Sequence, residues 1–394
     1  MSEYNSIGST QKFPMMPVAP LGVIAMRGCE EMGKRVNEYL MSWQSDTAAT
    51  SELHSYFGSE ADGFLLKANC PRFGTGEGKG MLLDTVRGYD LYIICDVGAY
   101  QCTYKLHGKE VPMTPDEHYA DLKRLIAAAS GKAYRINVIM PMLYEGRQHR
   151  RTARESMDCA LMLQELVGMG VTNIITFDAH DPRVQNAIPL DGFDNVQAAY
   201  QMIKALLRSV PDIHLDREHT MVVSPDEGGM GRCIYYSSVL GLELGMFYKR
   251  RNYSIVVNGK NPIEAHEFLG ADVIGKDLIL VDDMISSGES MLDIAEKLKE
   301  RGAKRIFIFS TFGLFVEGYD KFDEYYEKGY IDKIFTTNLI YNEPELLEKP
   351  WYCNVNMSKY IALLIDTLNL DNSISKLLDP ADRIKKLVEE YNAK

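Results

Sequence analysis

Short apolar runs, mostly unbroken by polar residues, alternate along this chain with amphipathic stretches. The runs are Leu21–Met26, Leu91–Cys95, Ile136–Met140, Asn173–Phe177, Met221–Val223, Gly245–Tyr248, Leu278–Val281, Arg305–Phe309 and Ile334–Thr337. A strand with one wet face alternates apolar and polar residues, so a continuous run predicts a strand covered on both faces. Between the runs, Asp116–Ala129, Arg154–Val167, Val196–Arg208, Ser290–Glu300 and Lys359–Leu368 have the spacing of helices. Strand and helix in alternation predict an α/β protein with mainly parallel sheets flanked by helices. Three segments, Ala99–Pro115, Arg250–Ile263 and Asn342–Asn356, read as irregular excursions.

With 394 residues there is room for two such units. The segments Ile174–His180 and Leu278–Asp283 are alike: each is an apolar strand ending in acidic or small residues, with a helix after it. We therefore expect two similar domains: an arm at 1–20, an N-terminal domain at 21–190, a C-terminal domain at 191–355 and C-terminal helices at 356–394. In the tail, Ile384, Leu387 and Val388 share one helical face, which predicts a docking helix.

Charge narrows the function. A formal net charge of -12 disfavours a nucleic-acid or membrane-surface binder but leaves room for a local basic pocket. The 7 cysteines are scattered and form no C-x-x-C pair, which predicts reduced thiols rather than disulfides or a zinc site. The first residues have no basic-then-apolar pattern of a secretory signal, and no stretch has membrane-spanning length. A cytoplasmic protein is expected.

The segment Leu278–Met291, LILVDDMISSGESM, carries the clearest chemistry. A buried strand runs into a turn of small residues and then a helix. Unpaired N–H groups at such a helix start, together with the helix dipole, attract phosphate. Ser286, Ser287, Gly288 and Ser290 let the backbone come close and add hydroxyl donors. Asp282 and Asp283 suit the hydroxyls of a ribose. The competing account makes the two acids helix caps and Ser-Ser-Gly a plain turn.

A strand followed by V-D-D-x-x-x-[ST]-G resembles the phosphoribosyl-diphosphate (PRPP) loop of type I phosphoribosyltransferases and of ribose-phosphate pyrophosphokinases (PRPP synthetases). Other blocks favour the second family. Arg72-Phe73-Gly74-Thr75-Gly76-Glu77 resembles its R-F-S-[DN]-G-E, and Arg87-Gly88-Tyr89-Asp90 its R-G-x-D. Tyr144–Arg151, YEGRQHRR, resembles Y-x-R-Q-D-R-K, with His149 where the family has Asp. Asp178-Ala179-His180 resembles D-L-H, and Ile188-Pro189-Leu190-Asp191 matches I-P-x-D with Ala187 in place of an acid. Val223–Gly229 resembles V-S-P-D-x-G-G, and Lys249-Arg250-Arg251 the K-R-R that opens a catalytic loop. These blocks fall in family order.

The resemblance implies two phosphoribosyltransferase-like domains and a reaction of ATP with ribose 5-phosphate that gives PRPP and AMP. It implies Phe73, Glu77, Arg147, Gln148 and His149 as ATP contacts. Asp226, Asp282, Asp283, Ser286, Ser287, Gly288 and Ser290 would hold ribose 5-phosphate. Lys249, Arg251 and His180 would be catalytic. Mg²⁺ would be held by His180, Asp226 and Asp191. The resemblance also implies a homo-oligomer of the hexamer-of-dimers type. Two other readings are a binding or regulatory homologue that has lost catalysis, prompted by His149, Ala187 and Ser286, and a type I phosphoribosyltransferase, which would share only the loop.

Overall fold

The computed structural model describes residues 16–45, 63–251 and 263–393. In chain order the first half contributes strands β1 (Leu21–Ala25), β2 (Ala68–Asn69), β3 (Met81–Leu82), β4 (Asp90–Ile94), β5 (Thr103–Leu106), β6 (Lys109–Pro112), β7 (Arg135–Ile139), β8 (Asn173–Phe177) and β9 (Gly192–Val196). The second half contributes β10 (Thr220–Ser224), β11 (Glu243–Arg251), β12 (Ile263–Leu269), β13 (Asp277–Ile285), β14 (Arg305–Gly313), β15 (Lys333–Thr337) and β16 (Tyr352–Val355).

Two main sheets result. The first has the order β1-β4-β7-β8-β9, all parallel. The second has the order β12-β11-β10-β13-β14-β15-β16, parallel except for the edge pair β11–β12. The continuous apolar runs are the central strands, because helices cover both faces: every residue of β4 and of β10 is buried. The fold expected from the residue pattern, parallel sheets flanked by helices, is the fold observed. The first sheet runs on to Val196 and so passes residue 190, where the sequence had placed the end of the first unit.

Two of the segments read as irregular are ordered. Residues 103–112 form the antiparallel hairpin β5–β6, whose alternation is too short and polar to stand out. Residues 342–356 hold the helix Pro344–Glu348 and the edge strand β16. In the third, 252–262 lie outside the described residues.

One hydrophobic cluster runs from the first sheet (Tyr92, Ile139, Phe177) through Met202 and Ile361 to Ile279 and Phe309 of the second. The two sheets thus share a core. Helix Ser358–Asn369 packs on helix Glu30–Ser45. At its end Asn369 donates to Asp90 at 3.0 Å, on a carboxylate that also takes two bonds from Arg135, at 2.7 and 2.6 Å. The tail helix Ala381–Asn392 docks as its pattern predicted: Ile384 is fully buried and Val388 nearly so, against helices 199–209 and 230–240. No helix among the described residues is long and apolar enough to cross a membrane.

Candidate active site

The C-terminal ends of β8 and β13 face each other across the two sheets, where open parallel sheets bind ligands. β13 does not stop at Val281. It continues through Asp282 and Asp283 to Ile285, paired with β14 as far as Gly313. The turn is therefore only Ser286–Gly288, and helix Glu289–Glu300 begins at once. Gly288 sits at φ +83°, and a Cβ there would run into the ring of buried Phe322, 2.9 Å from Cε1. Only glycine combines that backbone with that approach. No side chain caps the helix. Its first N–H groups are left for a ligand or water.

His180 reaches across from the first sheet, and its Nδ1 lies 2.7 Å from Asp283 Oδ2. With Nδ1–H donating to the carboxylate, Nε2 remains as an acceptor or metal ligand. The Asp283 bond raises the His180 pKa, against the opposing effect of burial. Burial by itself would raise Asp283, but the His180 bond and the Arg232 charge hold it below the usual carboxylate range. Asp282 is pushed the other way, by burial and by the Asp283 charge beside it. Of the two adjacent acids, one is held ionised and its neighbour is poised to take up a proton.

Arg232 had escaped notice in the sequence. It lies on helix Met230–Leu240, its side chain only 13% exposed, 3.9 Å from Asp178 Oδ1 and 3.8 Å from Asp282 Oδ1. Asp178, which carries a positive φ of 38°, accepts a bond from the Thr311 hydroxyl on β14 and one from the Ala198 N–H. Burial raises its pKa. Among the described residues Arg232 thus faces a group of acids drawn from both sheets, Asp178 and Asp283 buried and Asp282 partly exposed. Its one sequence signal was a lone cation in the otherwise uncharged helix MGRCIYYSSVL.

The remaining candidates are distributed more widely. Asp226 Oδ1 accepts the Gly229 N–H at 3.2 Å, so this acid fixes the turn before helix 230–240. Arg147, His180 and Tyr144 line a cleft of about 160 Å³ between the sheets, with Phe177, Met284 and Phe312 as apolar wall. The Gln148 amide is engaged, donating to the Ser156 carbonyl at 2.9 Å. His149 lies 3.5 Å from Asp181 and stacks obliquely by His180, ring centroids 5.4 Å apart; its Nδ1 is buried with no partner among the described residues. Phe73 and Glu77 do not line that cleft: their loop touches the helix Pro115–Ala129 through Arg72 and Asp121. Lys249 and Arg251 end β11, and their side chains fall outside the described residues.

Among the described residues, no three His, Cys, Asp or Glu side chains gather as a cage for a metal. His180, Asp226 and exposed Asp191 form no such group. Such a partial donor set still suits Mg²⁺, which binds through one or two protein ligands together with substrate phosphates.

Residues 21–170 match the N-terminal domain of ribose phosphate pyrophosphokinase, and residues 252–379 match the phosphoribosyl synthetase-associated domain. The ribose-phosphate pyrophosphokinase of Wolinella succinogenes is 30% identical over 299 residues, covering 74% of this chain and 86% of the relative. The chain belongs to the ribose-phosphate pyrophosphokinase family. The family member from Pasteurella multocida is 28% identical over 332 residues, covering 84% of this chain and 96% of its own. The fold is shared with phosphoribosylpyrophosphate synthetase from Mycobacterium smegmatis, at a TM-score of 0.69 and 21% identity over 90% of this chain and 100% of that one.

Proposed function

We propose that this chain is a ribose-phosphate diphosphokinase, which moves the β,γ-diphosphoryl group of ATP to the C1 hydroxyl of ribose 5-phosphate. The C1 oxygen bonds to the β-phosphorus, the bridge to the α-phosphorus breaks, and AMP departs. Membership of the ribose-phosphate pyrophosphokinase family supports this activity. The observation that supports the site reading is the meeting of His180 with Asp283, an imidazole from one sheet beside the acids that precede the Ser-Ser-Gly turn of the other.

On this reading Ser286, Ser287, Gly288 and Ser290 hold the 5-phosphate, chiefly through backbone N–H groups. Asp282, Asp283 and Asp226 face the ribose. Arg147, Gln148 and His149 contact the nucleotide from the cleft side, and Phe73 stacks on adenine while Glu77 accepts from its amine. Lys249 and Arg251 neutralise charge on the transferring group. His180 and Asp226, with exposed Asp191 as a further candidate, would hold Mg²⁺, which would supply further neutralisation of the phosphates. Transfer of this kind depends on positioning and electrostatics more than on covalent chemistry. The working form is a homo-oligomer in the cytoplasm, which the family resemblance supports.

The test is AMP release from ATP that depends on ribose 5-phosphate. Turnover is expected with both substrates and Mg²⁺. Turnover no higher than that of the Lys249→Ala, Arg251→Ala double variant would overturn the proposal.

A further inference from the structure

The hairpin β5–β6 lines no part of the cleft between the sheets, yet it is built against the loop Arg72–Glu77. That loop is small and exposed. Phe73 is 59% exposed, and the loop's own closure consists of Phe73 N–H to Glu77 O at 2.8 Å, Gly76 N–H to Phe73 O at 2.9 Å and Thr75 hydroxyl to Glu77 at 2.8 Å. Three bonds within six residues do not hold such a loop in one conformation against the entropy of an exposed chain.

Two outside supports do. On one side Arg72 makes a two-pronged ion pair with Asp121 at 2.7 and 2.8 Å, both side chains buried. A planar guanidinium paired this way fixes both position and orientation. On the other side stands the hairpin. The Tyr104 ring carries the Arg72 guanidinium 5.3 Å from its centroid. The His107 N–H, at the hairpin turn, donates to the Gly74 carbonyl at 3.0 Å. Gly76, at φ +93°, closes so tightly on the hairpin that a Cβ would lie 2.8 Å from Leu106 Cδ1. The hairpin is anchored in turn by Arg27, which donates to the Thr103 carbonyl at 3.2 Å, and its own ladder closes at the base with the Met113 N–H to the Cys102 carbonyl at 2.7 Å.

We infer that the hairpin Thr103–Pro112 is a positioning element for nucleotide recognition, with Leu106 and Tyr104 as the residues that hold the Phe73–Glu77 loop ready for the base. The inference rests on the reading that Phe73 and Glu77 contact adenine. A loop already held in its bound form loses less freedom when the base arrives, so the support raises affinity for the nucleotide and leaves the transfer step untouched. Leu106 touches no reacting group.

The test compares Leu106→Ala, Leu106→Met and Phe73→Ala by steady-state kinetics with both substrates varied. Leu106→Ala is expected to raise KM for ATP about 5-fold to 10-fold, with kcat and KM for ribose 5-phosphate changed by less than about twofold. Leu106→Met, which keeps the side-chain volume, restores KM. Phe73→Ala raises KM for ATP at least as much as Leu106→Ala. If Phe73→Ala raises KM and Leu106→Ala does not, the positioning role is overturned and the base contact stands. If Phe73→Ala leaves KM unchanged, the base contact falls, and the hairpin's role with it. If Leu106→Ala lowers kcat and the melting temperature with no change in KM for ATP, the hairpin is only structural and the inference is overturned.

Discussion

Replacing Arg232 with methionine keeps most of the side-chain length and removes the guanidinium that, among the described residues, lies between Asp178 and Asp282. The guanidinium lies 3.9 Å from Asp178 and 3.8 Å from Asp282, and is largely withdrawn from water. Each such pair is worth roughly 4 kcal/mol at an effective dielectric constant of about 20. Relief of the arginine's own desolvation offsets part of that, so the net loss expected from breaking a buried charge group is about 3–5 kcal/mol. The cost depends on pH. Burial and Asp283 already raise Asp282, and burial raises Asp178. Without the arginine both rise further, and the folded chain holds protons that an unfolded aspartate, titrating near pH 3.9, releases. Where the folded state binds more protons, stability falls as pH rises. The variant's deficit therefore grows as pH rises through about 7, where Asp282 titrates with the arginine in place. Read between about pH 6 and about pH 8.5, its slope is at most roughly 1.4 kcal/mol per pH unit for each proton involved. Urea unfolding of both proteins at the two pH values measures this. A deficit below about 1 kcal/mol, or one equal at both pH values, would refute the electrostatic account of this cluster.

Two more perturbations follow from the same geometry. Gly288→Ala is expected to cost about 2–4 kcal/mol, from an unfavourable positive φ and overlap with the Phe322 ring, and to weaken ribose 5-phosphate binding. A Phe322→Leu partner should recover the overlap but not the backbone part, which thermal unfolding of the double variant resolves. His118 is buried, with Nε2 3.1 Å from the Ala99 carbonyl, and burial lowers its pKa. The unfolded chain takes up that proton first, so stability is lost as pH falls below about 6.5, and His118→Gln should flatten this acid limb in melting curves taken at several pH values.

Much of the fold was legible locally. Strands buried on both faces must be apolar throughout, and nine such runs mark nine strands of the two main sheets. The turn after β13 was legible for a related reason: a strand that passes into a helix within three residues needs small ones there, and Ser286–Gly288 stand in line. The tail helix could be read from Ile384, Leu387 and Val388, because a docking face repeats with the helical period. The hairpin 103–112 could not, since its two strands of 4 residues each are too short and polar for alternation to stand out.

The acid cluster lay beyond any local reading. Asp178 and Thr311 are 133 positions apart, and His180 and Asp283 are 103 apart. Spacing of residues determined that two strands would each end in acids. Only the packing of the two sheets on a shared core decided that those ends would meet, that Arg232 would lie between them, and that two adjacent aspartates would acquire opposite proton affinities. The reason is physical: the sign and size of a pKa shift come from burial and from charges a few ångströms away, and those neighbours are assigned by tertiary structure.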